Sequence, residues 1–198
     1  MKKLLSLTLA LLLFQVSFAQ VRFGLKAGLN GANLNFETTR TNLAPHAGGL
    51  LEVALSDRFL IRPELLYSVK GFRSPVKYGK TRENLRYFTL PVLLGFSPVE
   101  KVVVLAGPEL GLLTKATRKT PEYRFDGTED YSRFDLGLVF GLGYKIKENL
   151  GIDLRYNYGF TKLITIDYRD PNGNPAGMGK DGSNRVVQVG LYYLLAKK

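Results

Sequence analysis

An all-β fold, an eight-stranded antiparallel up-and-down transmembrane β-barrel preceded by a cleaved signal peptide, is what this 198-residue sequence predicts. Three observations carry that expectation. A ribbon from Tyr131 to Phe160 alternates with period two, the connections along the chain alternate between short and long, and the first residues read as an export leader.

In the ribbon, Phe134, Leu136, Leu138, Phe140, Leu142 and Tyr144 share one parity, while Asp135, Gly137, Val139, Gly141, Gly143 and Lys145 share the other. The polar tripeptide Lys147-Glu148-Asn149 reverses the chain. Ile152, Leu154, Tyr156, Tyr158 and Phe160 then alternate with Asp153, Arg155, Asn157, Gly159 and Thr161. Successive strand side chains point to opposite faces, so this is a hairpin with one greasy face and one small or charged face. A soluble sheet buries its greasy face. A membrane barrel inverts the order, with aromatic and aliphatic residues toward lipid and glycines and charges toward the lumen. Glycine brings no benefit to a solvated strand face, whereas a narrow lumen is too crowded for bulk at every position. The tyrosines at 144, 156 and 158 and Phe160 suit interfacial belts. The inverted order is the expected one.

The chain opens MKKLLSLTLALLLFQVSFAQ: two lysines, an apolar run from Leu4 to Phe14, then Ser17 and Ala19 spaced for a signal peptidase. Residues 1–19 are expected to be a signal peptide cleaved after Ala19, leaving 20–198 as one barrel domain. The run is shorter than the roughly 18 apolar residues that a spanning helix needs. No later segment is apolar enough to span as a helix, so insertion must use strands.

Taken in order, Val21–Asn35 alternates Val21, Phe23, Leu25, Ala27 and Leu29 with Arg22, Gly24, Lys26, Gly28 and Asn30. Residues 37–45 read as a loop and His46–Ser56 as a second strand, closed by the tight turn Ser56-Asp57-Arg58. Phe59–Phe72 follows; Pro63 within it cannot donate to a ladder and calls for a bulge. A basic loop at 73–83 leads into Asn84–Phe96. There the alternation fades, and β-branched and aromatic content makes the strand assignment. Residues 97–101 are a short turn, Val102–Thr117 a fifth strand and 118–130 a long polar loop. The ribbon supplies two strands, the second running on to Tyr168. Residues 169–183 read as loop, and Asn184–Leu195 closes the chain.

Eight strands result, with short connections at 56–58, 97–101 and 147–149 and long ones at 37–45, 73–83, 118–130 and 169–183. Even strand number, short periplasmic turns and long external loops characterise outer-membrane barrels. Both termini then lie on the periplasmic side. Cysteine is absent, which excludes disulfides, thiolate metal sites and cysteine nucleophiles. Removing Lys2 and Lys3 with the leader leaves 26 basic against 17 acidic residues, a net +9. The cations are dispersed and the chain is exported, so phosphate-rich lipid headgroups, including lipopolysaccharide, suit this charge better than nucleic acid.

FGLKAGLNGANL after the leader, RYFTLPVLLGFSP, VVVLAGPELGLL, RFDLGLVFGLGYKI and LGIDLRYNYGF give the mature chain a pattern that resembles the PorT-like outer-membrane β-barrel proteins common in Bacteroidetes. The resemblance covers the whole domain and rests on pattern rather than on a catalytic signature. It implies an eight-stranded outer-membrane barrel, and for some relatives a link to secretion or gliding machinery, hence an envelope or secretion-system protein as a partner.

On the glycine-bearing parity, Lys26, Glu52, Arg62, Glu64, Glu109, Asp135, Asp153 and Arg155 project into the lumen. An eight-stranded barrel is filled by side chains, so these charges must pair, since an unpaired buried charge costs several kcal/mol. A structural, salt-bridged plug is the main expectation; a proton or ion path or a small-ligand site is the sharper alternative. In the basic stretch, Arg73, Lys77, Lys80 and Arg82 are candidates for contact with lipopolysaccharide phosphates or an outside protein, against the plainer reading of a solvated charge run.

Two other function classes compete. A lipid A-modifying enzyme would need a histidine with a serine or carboxylate, and the sole histidine, His46, is expected at the external end of the second strand, as are Ser74 and Ser132 at strand ends. A soluble periplasmic barrel of lipocalin type would place the apolar face inside, around a ligand. Asp170, Asn172, Asn174 and Asp181 fall at calcium-loop spacings, but Pro175 occupies the position that requires glycine and the flanks are strands. Gly141 and Gly143 lie inside a strand and form no phosphate loop. The expectation is a monomeric, non-enzymatic scaffold without cofactor or metal.

Overall fold

The computed structural model describes residues 20–35, 39–76, 79–169 and 175–195. The strands are β1 (Gln20–Leu34), β2 (Arg40–Ala54), β3 (Phe59–Val76), β4 (Gly79–Val99), β5 (Val102–Lys119), β6 (Arg124–Asp126), β7 (Phe134–Lys145), β8 (Leu150–Gly159), β9 (Ile164–Arg169), β10 (Pro175–Asp181) and β11 (Asn184–Leu194). Eight of them, β1, β2, β3, β4, β5, β7, β8 and β11, pair in chain order, and β11 returns to β1 to close an antiparallel barrel. β6 extends the sheet beside the outer end of β5, and β9 and β10 form a separate hairpin.

The faces are inverted relative to a soluble sheet. Phe140, Leu154 and Tyr158 are 52%, 53% and 40% exposed, whereas Asp153 and Arg155 beside them are 1% and 2% exposed. An apolar surface running around the whole wall has no place in water. It is the lipid-facing band of an outer-membrane barrel. The lipocalin alternative, with a greasy interior, is overturned by the same numbers. From Phe134 to Tyr144 the outward residues cover ten steps of about 3.3 Å, which at the usual tilt spans about 25 Å of height. Aromatic pairs mark the band: Phe59 with Phe96 near the short turns, and Tyr67 with Phe88 and Tyr158 with Phe160 toward the other end.

The short connections at residues 55–58, 100–101 and 146–149 share an end with Gln20 and Leu195, so the termini are periplasmic and the larger connections extracellular. Several expected boundaries differ. The basic stretch at 73–83 is mostly ladder: β3 and β4 stay paired to Val76 and Gly79. Hydrogen-bonded strands standing in water need no apolar alternation, so nothing in the residues marked them. β2 likewise begins at Arg40, not His46. The return strand of the ribbon stops at Gly159, and part of the expected final loop is strand β10, paired with β9. The register around Pro63 does not shift on either side, so that proline leaves a gap in the ladder without a bulge.

The faded alternation of β4 also has a cause. Its inward Leu85 and Tyr87 join Leu34, Phe72, Leu113, Ala116, Tyr131 and Leu163 in an apolar cap at the outer end of the lumen. Leu93 joins Leu60, Val103, Leu105 and Val139 in a second cluster. The glycines supply room. A Cβ on Gly190 would stand 2.4 Å from Lys26 Cε and 3.0 Å from an Asp153 oxygen, and one on Gly141 2.7 Å from Arg155 Cγ.

Candidate functional site

The wall positions a charged column along the barrel axis, because strand parity turns one residue in two inward. Near the periplasmic end, Glu52 on β2 accepts from Arg22 on β1 with one oxygen and from Arg62 on β3 with the other. The Arg62 guanidinium lies 4.5 Å from the centre of the Tyr192 ring. In the middle, Lys26 Nζ donates to both oxygens of Asp153 at 2.9 Å and stands 3.6 Å from Glu64. Arg155 donates to the two oxygens of Glu64 at 2.8 and 2.6 Å and to Asp153 at 2.8 Å. Two parallel bonds between a guanidinium and a carboxylate make the strongest pairing geometry available to these groups.

Farther out, Lys70 Nζ is 2.9 Å from Glu109 and 3.2 Å from Asp135. Asn157 donates to Glu109, and Asn184 donates to Asp135 at 2.7 Å. Asn30 links Ser68 and the Val69 carbonyl, and accepts from Gln188 at 2.9 Å. At the outer cap, Glu83 accepts from Arg118 and, at 3.2 Å, from the Tyr131 hydroxyl.

All eight residues read from the sequence as luminal lie in this column, each no more than 6% exposed. Sequence reasoning omitted Lys70, the cation that joins Glu109 to Asp135, although Lys70 shares the parity of Arg62 and Glu64. It also omitted Arg22, Asn157 and Asn184. With those included, Arg22, Lys26, Arg62, Lys70 and Arg155 face Glu52, Glu64, Glu109, Asp135 and Asp153. Five cations meet five carboxylates, so the interior is neutral as a set. Neutrality matters because, apart from Arg22 at the periplasmic mouth, whose side chain is 31% exposed, these ions have lost their hydration and keep only their partners.

The structure moves the histidine. His46 is buried on the inner wall, opposite Gly28 and Ser68, not at the rim. Neither ring nitrogen has a hydrogen-bond partner among the described residues. Ser74 sits six residues along β3 from Ser68, and the Ser132 hydroxyl bonds the Lys162 carbonyl at 3.1 Å. The trio proposed for lipid chemistry is not assembled. Of the calcium-register residues, Asp170, Asn172 and Asn174 lie outside the described residues, while Asp181 pairs with Lys162 at 2.9 Å. Among the described residues no cluster of metal-ligating side chains occurs.

Of the basic stretch, Arg73 and Arg82 are ladder partners on adjacent strands, Lys80 stands opposite Pro75, and Lys77 lies outside the described residues. Nearby on β6, Asp126 is 3.5 Å from Lys115. The Thr128 hydroxyl and backbone N–H both donate to Asp126 and hold its carboxyl below the usual range.

A family model described as an outer membrane protein beta-barrel domain matches residues 17–165. No curated protein sequence matches the chain. Among solved structures, Neisserial surface protein A is similar with a TM-score of 0.51 and 14% identity, over 88% of this chain and 97% of that one. The attachment invasion locus protein Ail of Yersinia pestis aligns with a TM-score of 0.48 and 14% identity, over 88% of this chain and 97% of its own. Identity this low speaks to fold alone. The family match takes in well over half of the sequence and coincides with the inverted, closed barrel, so the chain belongs to the outer-membrane protein β-barrel domain family.

Proposed function

We propose that the protein is a non-enzymatic scaffold of the outer membrane, a stiff barrel that holds its outer ribbons at the cell surface for contact with glycolipid or an envelope protein. The observation that carries this reading is the closed column of ion pairs, centred on Arg155 and Glu64 with side chains 1% and 0% exposed. A lumen filled in this way anchors the wall and leaves no aqueous path, as expected for eight strands. Purified protein in planar lipid bilayers is expected to add no conductance to that of the empty bilayer. Reproducible ohmic steps from the wild-type protein would replace the scaffold with a channel.

The finer reading follows the PorT-like pattern, in which an envelope or secretion-system protein docks on the loops or the periplasmic turns. Crosslinking in intact envelopes, read by mass spectrometry, tests it: recurrent adducts with a secretion component support the link, and adducts with lipid alone remove it. The leader belongs to the same reading, with export through residues 1–19 and a mature chain starting at Gln20. A different first residue on sequencing the purified protein contradicts that cleavage.

A further inference from the structure

The outer part of the wall carries cations in ladder order. Arg73, Arg82, Lys119 and Arg124 are successive cross-strand partners on β3, β4, β5 and β6. Directly opposed residues of a ladder share a face of the sheet and lie about 5 Å apart, where like charges repel. Arg40 on β2 stands directly opposite Arg73, outward of the register shift between Thr41 and His46. The shared face is the outward one: Phe88, Arg86, Asn84 and Arg82 follow at period two along an unbroken β4, and Phe88 is an exposed residue of the lipid band. Arg86 stands opposite Lys115, which makes a second cationic pair below the first row.

Height decides what this face can meet. Arg86 lies two residues and Arg82 six residues beyond Phe88, about 7 and 20 Å along the strand. With the usual tilt these become about 5 and 15 Å above the apolar band, the depth of lipid headgroups and their first sugars. Among the described residues little neutralises the cations there. Within these ladder rows the carboxylates among the described residues are Glu83, which turns inward to Arg118, and Asp126, held at the β6 edge beside Lys115. Arg86 donates to the Thr117 hydroxyl at 2.9 Å and Arg82 to the Leu43 carbonyl at 3.0 Å. Each guanidinium is thus steadied at one nitrogen, with further donors on the same planar group.

We propose that the outward row Arg73, Arg82, Lys119 and Arg124, with Arg86 and Lys115 beneath it, is a binding site for the phosphorylated glycolipid of the outer leaflet. Its phosphates bridge cations that the ladder forces together, converting a repulsive row into a cross-linked one. This rests on the membrane seat of the barrel and specifies which face takes the lipid and through which atoms.

The test uses the full mature chain in neutral detergent micelles, titrated with bisphosphorylated lipid A and with the same lipid after phosphate removal. Wild-type protein is expected to prefer the phosphorylated lipid, with affinity falling as salt rises. The double variant R82Q/K119Q is expected to lose roughly 30-fold in affinity, whereas K101Q/K147Q in the periplasmic turns keeps it. If R82Q/K119Q does not fold, K119Q/R124Q at the sheet edge takes its place, and the two-lipid comparison on wild-type protein stands independently. Equal binding of both lipids, unchanged affinity in the folded variant, or equimolar inorganic phosphate competing as well as lipid A would overturn the proposal. A chain that inserts into vesicles yet ignores lipid phosphates sinks this site alone. One that gives no heat-modifiable folded band in vesicles sinks the membrane reading with it.

Discussion

Arg155→Ala is expected to lower the unfolding free energy of the barrel by about 3–5 kcal/mol. The guanidinium makes three charge-assisted bonds in a region with no water-exposed surface: two to Glu64 and one to Asp153. Removing it leaves Glu64 dependent on Lys26, which stands at 3.6 Å and already serves Asp153. The interior then carries one carboxylate in excess. Taking out both partners, as in E64L/R155L, restores neutrality with apolar groups and is expected to recover most of the loss, because a well-packed apolar pair is about equal to a buried ion pair. Denaturant titrations in lipid vesicles, followed by gel mobility of unheated samples, measure both. The chain has no tryptophan to report the transition. A single variant as stable as the double one would contradict the account.

Phe140→Arg is the second large effect, expected at about 2–4 kcal/mol. Phe140 projects from the middle of β7, between Ala106 and Tyr156 in the ladder, into hydrocarbon. The same change at Tyr144, four residues nearer the periplasmic turn, is expected to cost only about 0–1 kcal/mol, since an arginine there reaches water. Depth dependence separates lipid from water as the surrounding medium. In water, both substitutions at exposed positions would be close to neutral. Equal, small costs at 140 and 144 would therefore refute hydrocarbon around this band.

Parity is local, and what depends on it was legible. Any five consecutive residues within either arm of the 131–160 ribbon reveal which side chains share a face, and the glycines reveal which face is crowded. That reasoning places Glu64 and Arg155 on inner faces. It does not reveal that they meet, because 91 residues separate them and their contact depends on the registers of several ladders. The same limit explains His46. Pro45 and the polar residues before it look like the end of a strand, yet β2 runs on to Arg40 because β1 pairs with it through Ala32 and Asn42. Beyond the lipid band, alternation stops carrying information. The paired extensions of β3, β4 and β5 look like loop for that reason, and so does glycine-rich β10, whose strand character comes from its partner β9.

The sequence distances inside the charged column bear on how the molecule is assembled. Lys26 finds Asp153 across 127 residues, and Arg155 finds Glu64 across 91. A half-built sheet would therefore leave Lys26 and Glu64 facing the acyl chains without their main partners until β8 comes into place, although Glu52 meets Arg62, and Asp153 meets Arg155, within ten residues. Insertion one strand at a time is disfavoured by that bare charge. Concerted arrival, with the seam sealed only when opposite signs coincide, would make the interior a proofreading device for correct neighbours.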